Sequence, residues 1–212
     1  MKSPAVVCAA LLLASPGPRR LTAQVSVSFT AGARYTTTLV HDSIVTLLDV
    51  RPALAPALSA NVGFPLSGPW RVEAMVDVSS SQLQLHDAGA GGGTTDMARL
   101  TTLGFGVGLR RRFQPWLAGR FSIGGLAYLP AGDLGLFRDG TGGPAPFGQV
   151  AVDFAPAEIA RHHLALEAQG DLHKFITPAL KADGFTDSRM VYRLALVIRF
   201  DLRNGEPEAA KP

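Results

Sequence analysis

The stretch Met190-Val-Tyr-Arg-Leu-Ala-Leu-Val-Ile-Arg-Phe200 restricts the fold of this chain more than any other. Met190, Tyr192, Leu194, Leu196, Ile198 and Phe200 are large and apolar, and Arg193 and Arg199 lie between them. A period of two places these sets on opposite faces of a β-strand. Mid-strand arginines occupy places that a soluble sandwich gives to its core or to neutral polar residues. The pattern predicts a strand with an oily outer face and a wet inner one, as in a membrane-spanning barrel.

The same alternation recurs upstream. The apolar positions are Val25, Val27, Phe29, Ala31, Ala33 and Tyr35; then Leu54, Leu58, Ala60, Val62 and Phe64; then Trp70, Val72, Ala74, Val76 and Val78. Next come Leu103, Phe105, Val107 and Leu109; Leu117, Phe121, Ile123, Ala127 and Leu129; Val150, Val152 and Phe154; and Leu164, Leu166, Ala168 and Leu172. With the last run these make eight strands, each expected to hold about ten residues or a little more, enough to cross a bilayer when tilted. Gly (23) and Pro (15) supply many turns, and charged residues are sparse at 17%, which favours an all-β chain. At 212 residues there is room for one domain.

The amino-terminal residues read as a secretory leader. Lys2 is followed by the short apolar run Ala5–Ala14, and Leu21-Thr-Ala23 offers a cleavage site. The run is too short for a spanning helix, which needs about 20 residues. The expected division is residues 1–23 as signal peptide, 24–202 as barrel and 203–212 as a short, disordered periplasmic tail. Cys8, the only cysteine, leaves with the leader, so the mature chain is expected to have no disulfide and no thiolate site. Lys2, Arg19 and Arg20 leave as well. The 20 basic residues then fall to 17 against 17 acidic ones. A neutral chain has no electrostatic footprint for a polyanion, which excludes a nucleic-acid partner.

The connections predict an orientation. Pro65–Pro69, Gln114-Pro115 and Ala155–Arg161 are short, whereas Val40–Pro52, His86–Asp96, Ala131–Gly143 and Ile176–Ser188 are longer and polar or glycine-rich. Phe64, Trp70, Phe113, Trp116, Phe154 and Phe200 fall beside the short connections, and Tyr35, Tyr128, Phe147, Phe175 and Tyr192 beside the long ones. Two aromatic girdles at the two headgroup levels are the expectation.

In these features residues 24–202 resemble the small outer-membrane β-barrels of Gram-negative bacteria, such as the transmembrane domain of outer membrane protein A and its small relatives. The resemblance implies an antiparallel up-and-down transmembrane barrel of eight strands, with short periplasmic turns and longer outer loops. It implies residence in the cell outer membrane, contact with outer-membrane lipids and insertion by the barrel assembly machinery. A monomer is expected. Family members commonly end at a terminal Phe, whereas here Asp201–Pro212 follow Phe200.

Alternation sends Arg71, Glu73, Asp77, Arg110, Arg120, Asp153, Glu167, Asp171, Arg193 and Arg199 into the lumen. A barrel of eight strands is just wide enough for side chains to fill it. The expectation is a plug of paired charges, since buried charges persist only when paired. Glycines 63, 104, 106, 108 and 124 would leave gaps, and a narrow pore for ions or small solutes is the alternative. His41-Asp42-Ser43 and His86-Asp87 raise a further alternative, a rim enzyme acting on lipid or peptide. Adjacent strand residues point to opposite faces, so these dipeptides read as solvated loop residues. The His162-His163 pair lacks further ligands at metal spacing, and His162, His163 and His173 lack the nearby serine of the lipid A deacylases. Gly89–Gly93 and Gly140–Gly143 are not phosphate loops. No catalytic, cofactor-binding or metal-ligating residue is therefore assigned. The role expected is structural or surface-interacting, and a soluble barrel with an apolar interior remains as a fourth reading.

Overall fold

The computed structural model describes residues 25–42, 48–87, 93–132, 135–159, 162–185 and 188–202. Ten strands occur in chain order: β1 (Ser26–Thr36), β2 (Val40–Asp42), β3 (Leu48–Pro52), β4 (Ala55–Pro65), β5 (Trp70–Asp87), β6 (Gly93–Gln114), β7 (Leu117–Pro130), β8 (Ala145–Ile159), β9 (His162–Phe175) and β10 (Arg189–Leu202). A short helix α1 (Pro178–Ala182) and a 3-10 turn (Gly135–Phe137) stand among the long loops.

Eight of these strands close a ring. Each of β4 to β10 pairs antiparallel with the next, and β1 pairs with both β4 and β10, with Phe29 opposite Phe200 and opposite Ala60. Closure leaves the ring without an edge, so every ladder group finds a partner where no water is at hand. No described helix is long and apolar enough to cross a membrane.

Side-chain direction separates the membrane reading from the soluble one. On β10, Leu194 and Ile198 are each 58% exposed, while Arg193 and Arg199 are 2% and 1% exposed. Phe121, Ile123, Val107, Val150 and Val76 are likewise turned outward on the other strands. A continuous apolar belt of this kind exceeds what a soluble monomer exposes. The soluble barrel with apolar faces inward is excluded, and the surface is that of a membrane-spanning barrel. Leu196, midway between Tyr192 and Phe200, tests this directly. Leu196→Arg is expected to cost about 2–4 kcal/mol when the protein is folded in phospholipid vesicles and titrated with urea. A half-exposed leucine on a water-facing surface would show no such loss.

Two expectations are corrected here. The strands are not all about ten residues, because β5 holds 18 and β6 holds 22. At about 3.3 Å per residue, such strands stand well clear of a bilayer core about 30 Å thick, even when tilted. The stretches Val40–Pro52 and His86–Asp96 are not wholly loop either. β2 pairs with β3, and β3 pairs with the upper part of β5 in line with β4. The upper parts of β5 and β6 also pair, Asp87 with Gly93, past an irregularity between Gln82 and Gln84. A four-stranded sheet thus rises above the ring on one side. The corresponding tip, residues 88–92, lies outside the described residues.

Candidate functional site

The interior has two halves. Towards the tight turns, guanidinium and carboxylate groups from β1 and β5 to β10 interlock. Glu73 accepts from Arg199 at 2.8 Å and Arg120 at 3.2 Å, and lies 3.5 Å from Arg110. Glu167 accepts from Arg120 at 2.8 Å and Arg199 at 3.4 Å, while Arg110 reaches Asp153 at 2.6 Å. Asn61 and Gln149 accept further bonds from Arg120. Nearer the middle, Arg34 donates to Asp77 at 2.7 Å and to Gln169 at 3.2 Å, and Arg193 donates to Asp171 at 2.7 Å.

Nine of the ten residues expected in the lumen join this network, and the tenth, Arg71, lies half-buried at the turn end. Arg34 belongs to it too, on the polar face of the first run. Asn61, Gln149 and Gln169 supply neutral partners that charge counting does not reveal. The glycine gaps are occupied. A Cβ on Gly104 would sit 3.1 Å from Asp77 Oδ1, and one on Gly106 would meet the Phe147 ring at 3.4 Å. Gly104 thus makes room for the carboxylate that holds Arg34.

Towards the long loops the lumen turns apolar. Leu39, Val50, Leu83, Leu100, Leu126 and Val191 pack with Tyr128, Phe137, Phe147, Phe175 and Leu180. Tyr128 stacks edge-on with Phe175 at 5.1 Å, and Phe137 meets Phe175 at 6.1 Å. The Tyr128 hydroxyl bonds His173 Nε2, which joins the cap to the charged layer. The expected second girdle is therefore corrected. Tyr35 and Tyr192 do face outward, but Tyr128, Phe147 and Phe175 are 5%, 4% and 3% exposed and point inward. The girdle at the tight turns is present, with Phe64, Trp70, Phe113, Trp116 and Phe154 all exposed.

Two loop segments carry cap residues from above. The 3-10 turn inserts Phe137, and α1 inserts Ala179 and Leu180. Thr177 caps α1, accepting from the Leu180 N–H while its hydroxyl donates to the Leu136 carbonyl at 2.5 Å. Arg138 bridges from the first segment to Asp183 after the second at 2.5 Å. That hydrogen bond, then the charge of Asp183, raise the Arg138 pKa above its ordinary value.

No protein-family model matches the chain, and no curated protein matches it. Solved structures do. The barrel is similar to Neisserial surface protein A, at 10% identity and a TM-score of 0.53, over 85% of this chain and 97% of that one. The chain has the fold of the small eight-stranded outer-membrane β-barrels. Outer membrane protein Ail of Yersinia pestis (8% identity, 84% of this chain, 99% of that one, TM-score 0.48) and OprG from Pseudomonas aeruginosa (10%, 85%, 97%, 0.45) are also similar. At such identities the likeness speaks for fold alone.

At the rim of the barrel, the described histidines of the two His–Asp dipeptides find other partners. His41 bonds Asp49 across the β2–β3 hairpin at 2.6 Å, rather than pairing with its neighbour in sequence. The side chain of Asp42, and Ser43 entirely, lie outside the described residues. His86 stands opposite Asp49 on β5 and reaches Thr94 at 3.3 Å. Among the described residues, both of these bonds are exposed to solvent. The side chains of His162 and His163 lie outside the described residues, and so does Gly89–Gly92. Gly140–Gly143 is loop. Among the described residues no cluster of three His, Cys, Asp or Glu side chains could hold a metal.

Proposed function

We propose that the protein is an outer-membrane barrel with a structural or surface-interacting role, that its lumen is blocked, and that it is not an enzyme. The observation that supports this most is the two-part filling of the interior. The apolar cap would exclude water from the loop end, and the paired charges would occupy the width that remains below it. The sheet of β2, β3, β5 and upper β6 offers an exposed surface beyond the membrane for contact with the outside. Planar bilayers containing the folded protein are expected to show no unitary currents. Step currents that change when Arg120 or Arg199 is neutralised would replace this reading with the pore.

A further inference from the structure

The turn end of the barrel holds a positive pocket, two of whose three arginines the lumen network does not use. The β4–β5 and β6–β7 turns lie side by side there, tied by the Arg112 N–H donating to the Pro69 carbonyl at 3.1 Å. Between them is a cavity of about 350 Å³, lined by Gly68, Pro69, Arg71, Arg110, Arg112 and Phe113, with Gln114 and Pro115 at its edge. Arg71 stands directly opposite Arg110 in the β5–β6 ladder, and Arg110 stands opposite Arg120 in the β6–β7 ladder. Like charges in register destabilise a sheet. Arg110 and Arg120 offset this through Glu73, Asp153 and Glu167. Among the described residues, Arg71 and Arg112 have no carboxylate within 4 Å, and each repels the other across the cavity. The carboxylates of Asp201 and Glu73 attract Arg71 from farther off.

We propose that this pocket binds a phosphate group, with Arg71 and Arg112 as its principal ligands and Arg110 behind them. Guanidinium forks match phosphate oxygens in geometry as well as charge. The volume suits one phosphate with its first substituents. Two sources share this chemistry: free phosphate and the headgroup of a phospholipid in the adjoining leaflet. The pocket opens at the height of the exposed aromatic girdle, where Arg111 lies over Trp70 at 5.1 Å, and this favours the lipid.

The full-length mature protein, folded in an uncharged detergent, is titrated with inorganic phosphate and separately with short-chain phosphatidylglycerol. Saturable binding of either is expected, weakened about tenfold or more in Arg71→Gln and in Arg112→Gln. Arg71→Lys should retain part of it, and Arg111→Gln should leave it unchanged. Binding of both compounds would assign the site to the phosphate itself, and binding of the glycerolipid alone would assign it to the headgroup. Absence of saturable binding overturns the proposal. So does binding that survives Arg71→Gln combined with Arg112→Gln in protein whose β-sheet circular dichroism matches the parent.

Discussion

Glu73→Gln is expected to cost the folded barrel about 3–5 kcal/mol, the usual range for breaking a buried ion pair from one side. The carboxylate is shared by Arg199, Arg120 and Arg110. Glutamine keeps its shape and one acceptor oxygen but removes the charge. The lumen guanidiniums would keep the carboxylates of Asp77, Asp153, Glu167 and Asp171, with the partly exposed Asp201 beside Arg199 and Arg110. The loss is read as a shift in the urea midpoint in lipid vesicles, followed by the fluorescence of Trp70 and Trp116. Adding Arg199→Met to Glu73→Gln removes the guanidinium held closest to the lost charge and should recover part of the loss, since a pair removed as a whole costs less than one broken from one side. A loss below about 1 kcal/mol for Glu73→Gln would mean that water, not the network, solvates these charges.

The second large effect lies in the cap. Phe175→Ala is expected to cost about 3–5 kcal/mol, because it removes a buried ring and leaves a cavity beside Tyr128 and Phe137. Tyr192, at a similar height but turned outward, is the control, and its replacement by alanine should cost clearly less. Equal losses at the two positions would return Phe175 to a girdle. The Phe175→Ala barrel should remain electrically silent, because the Arg34–Asp77 and Arg193–Asp171 pairs still fill the lumen below. Conductance in that variant would show that the charged layer does not block passage.

Much of the ring was legible in the sequence, because a bilayer imposes period-two alternation on every residue within it. Arg193, Arg199 and Glu73 could be assigned inward by parity alone. The upper halves of β5 and β6 were not legible for the same reason. Above the membrane both faces of a strand are wet, so Ser79-Ser-Ser-Gln82 and Gly93-Thr-Thr-Asp96 lose alternation while keeping their ladder. Polarity marked the second of these as loop and left the first outside any expected strand. Likewise Pro52, expected to end the first outer loop, ends β3 instead, and only residues 53 and 54 separate it from β4, which continues along β5. The aromatic cap carried a signal that height along the strand concealed. Phe147 is two residues from Gln149, and Phe175 four from Asp171, so parity places both inside. The pairing of Arg34 with Asp77, by contrast, depends on how β1 and β5 curve towards each other around β4, and no local pattern records it.

The lumen charges are unevenly divided along the chain, and this bears on how the cylinder is completed. Strands β1 to β9 contribute four inward guanidiniums, those of Arg34, Arg110, Arg120 and the half-buried Arg71, against five carboxylates. β10 adds Arg193 and Arg199 against the partly exposed Asp201, a net positive charge, and Arg199 binds Glu73, 126 residues earlier. A sheet not yet joined to its last strand therefore carries a surplus of negative charge along the inner seam that β10 must enter. The final strand is both the closing stave and the counterion, so the barrel cannot become electrically neutral inside until it is also geometrically shut.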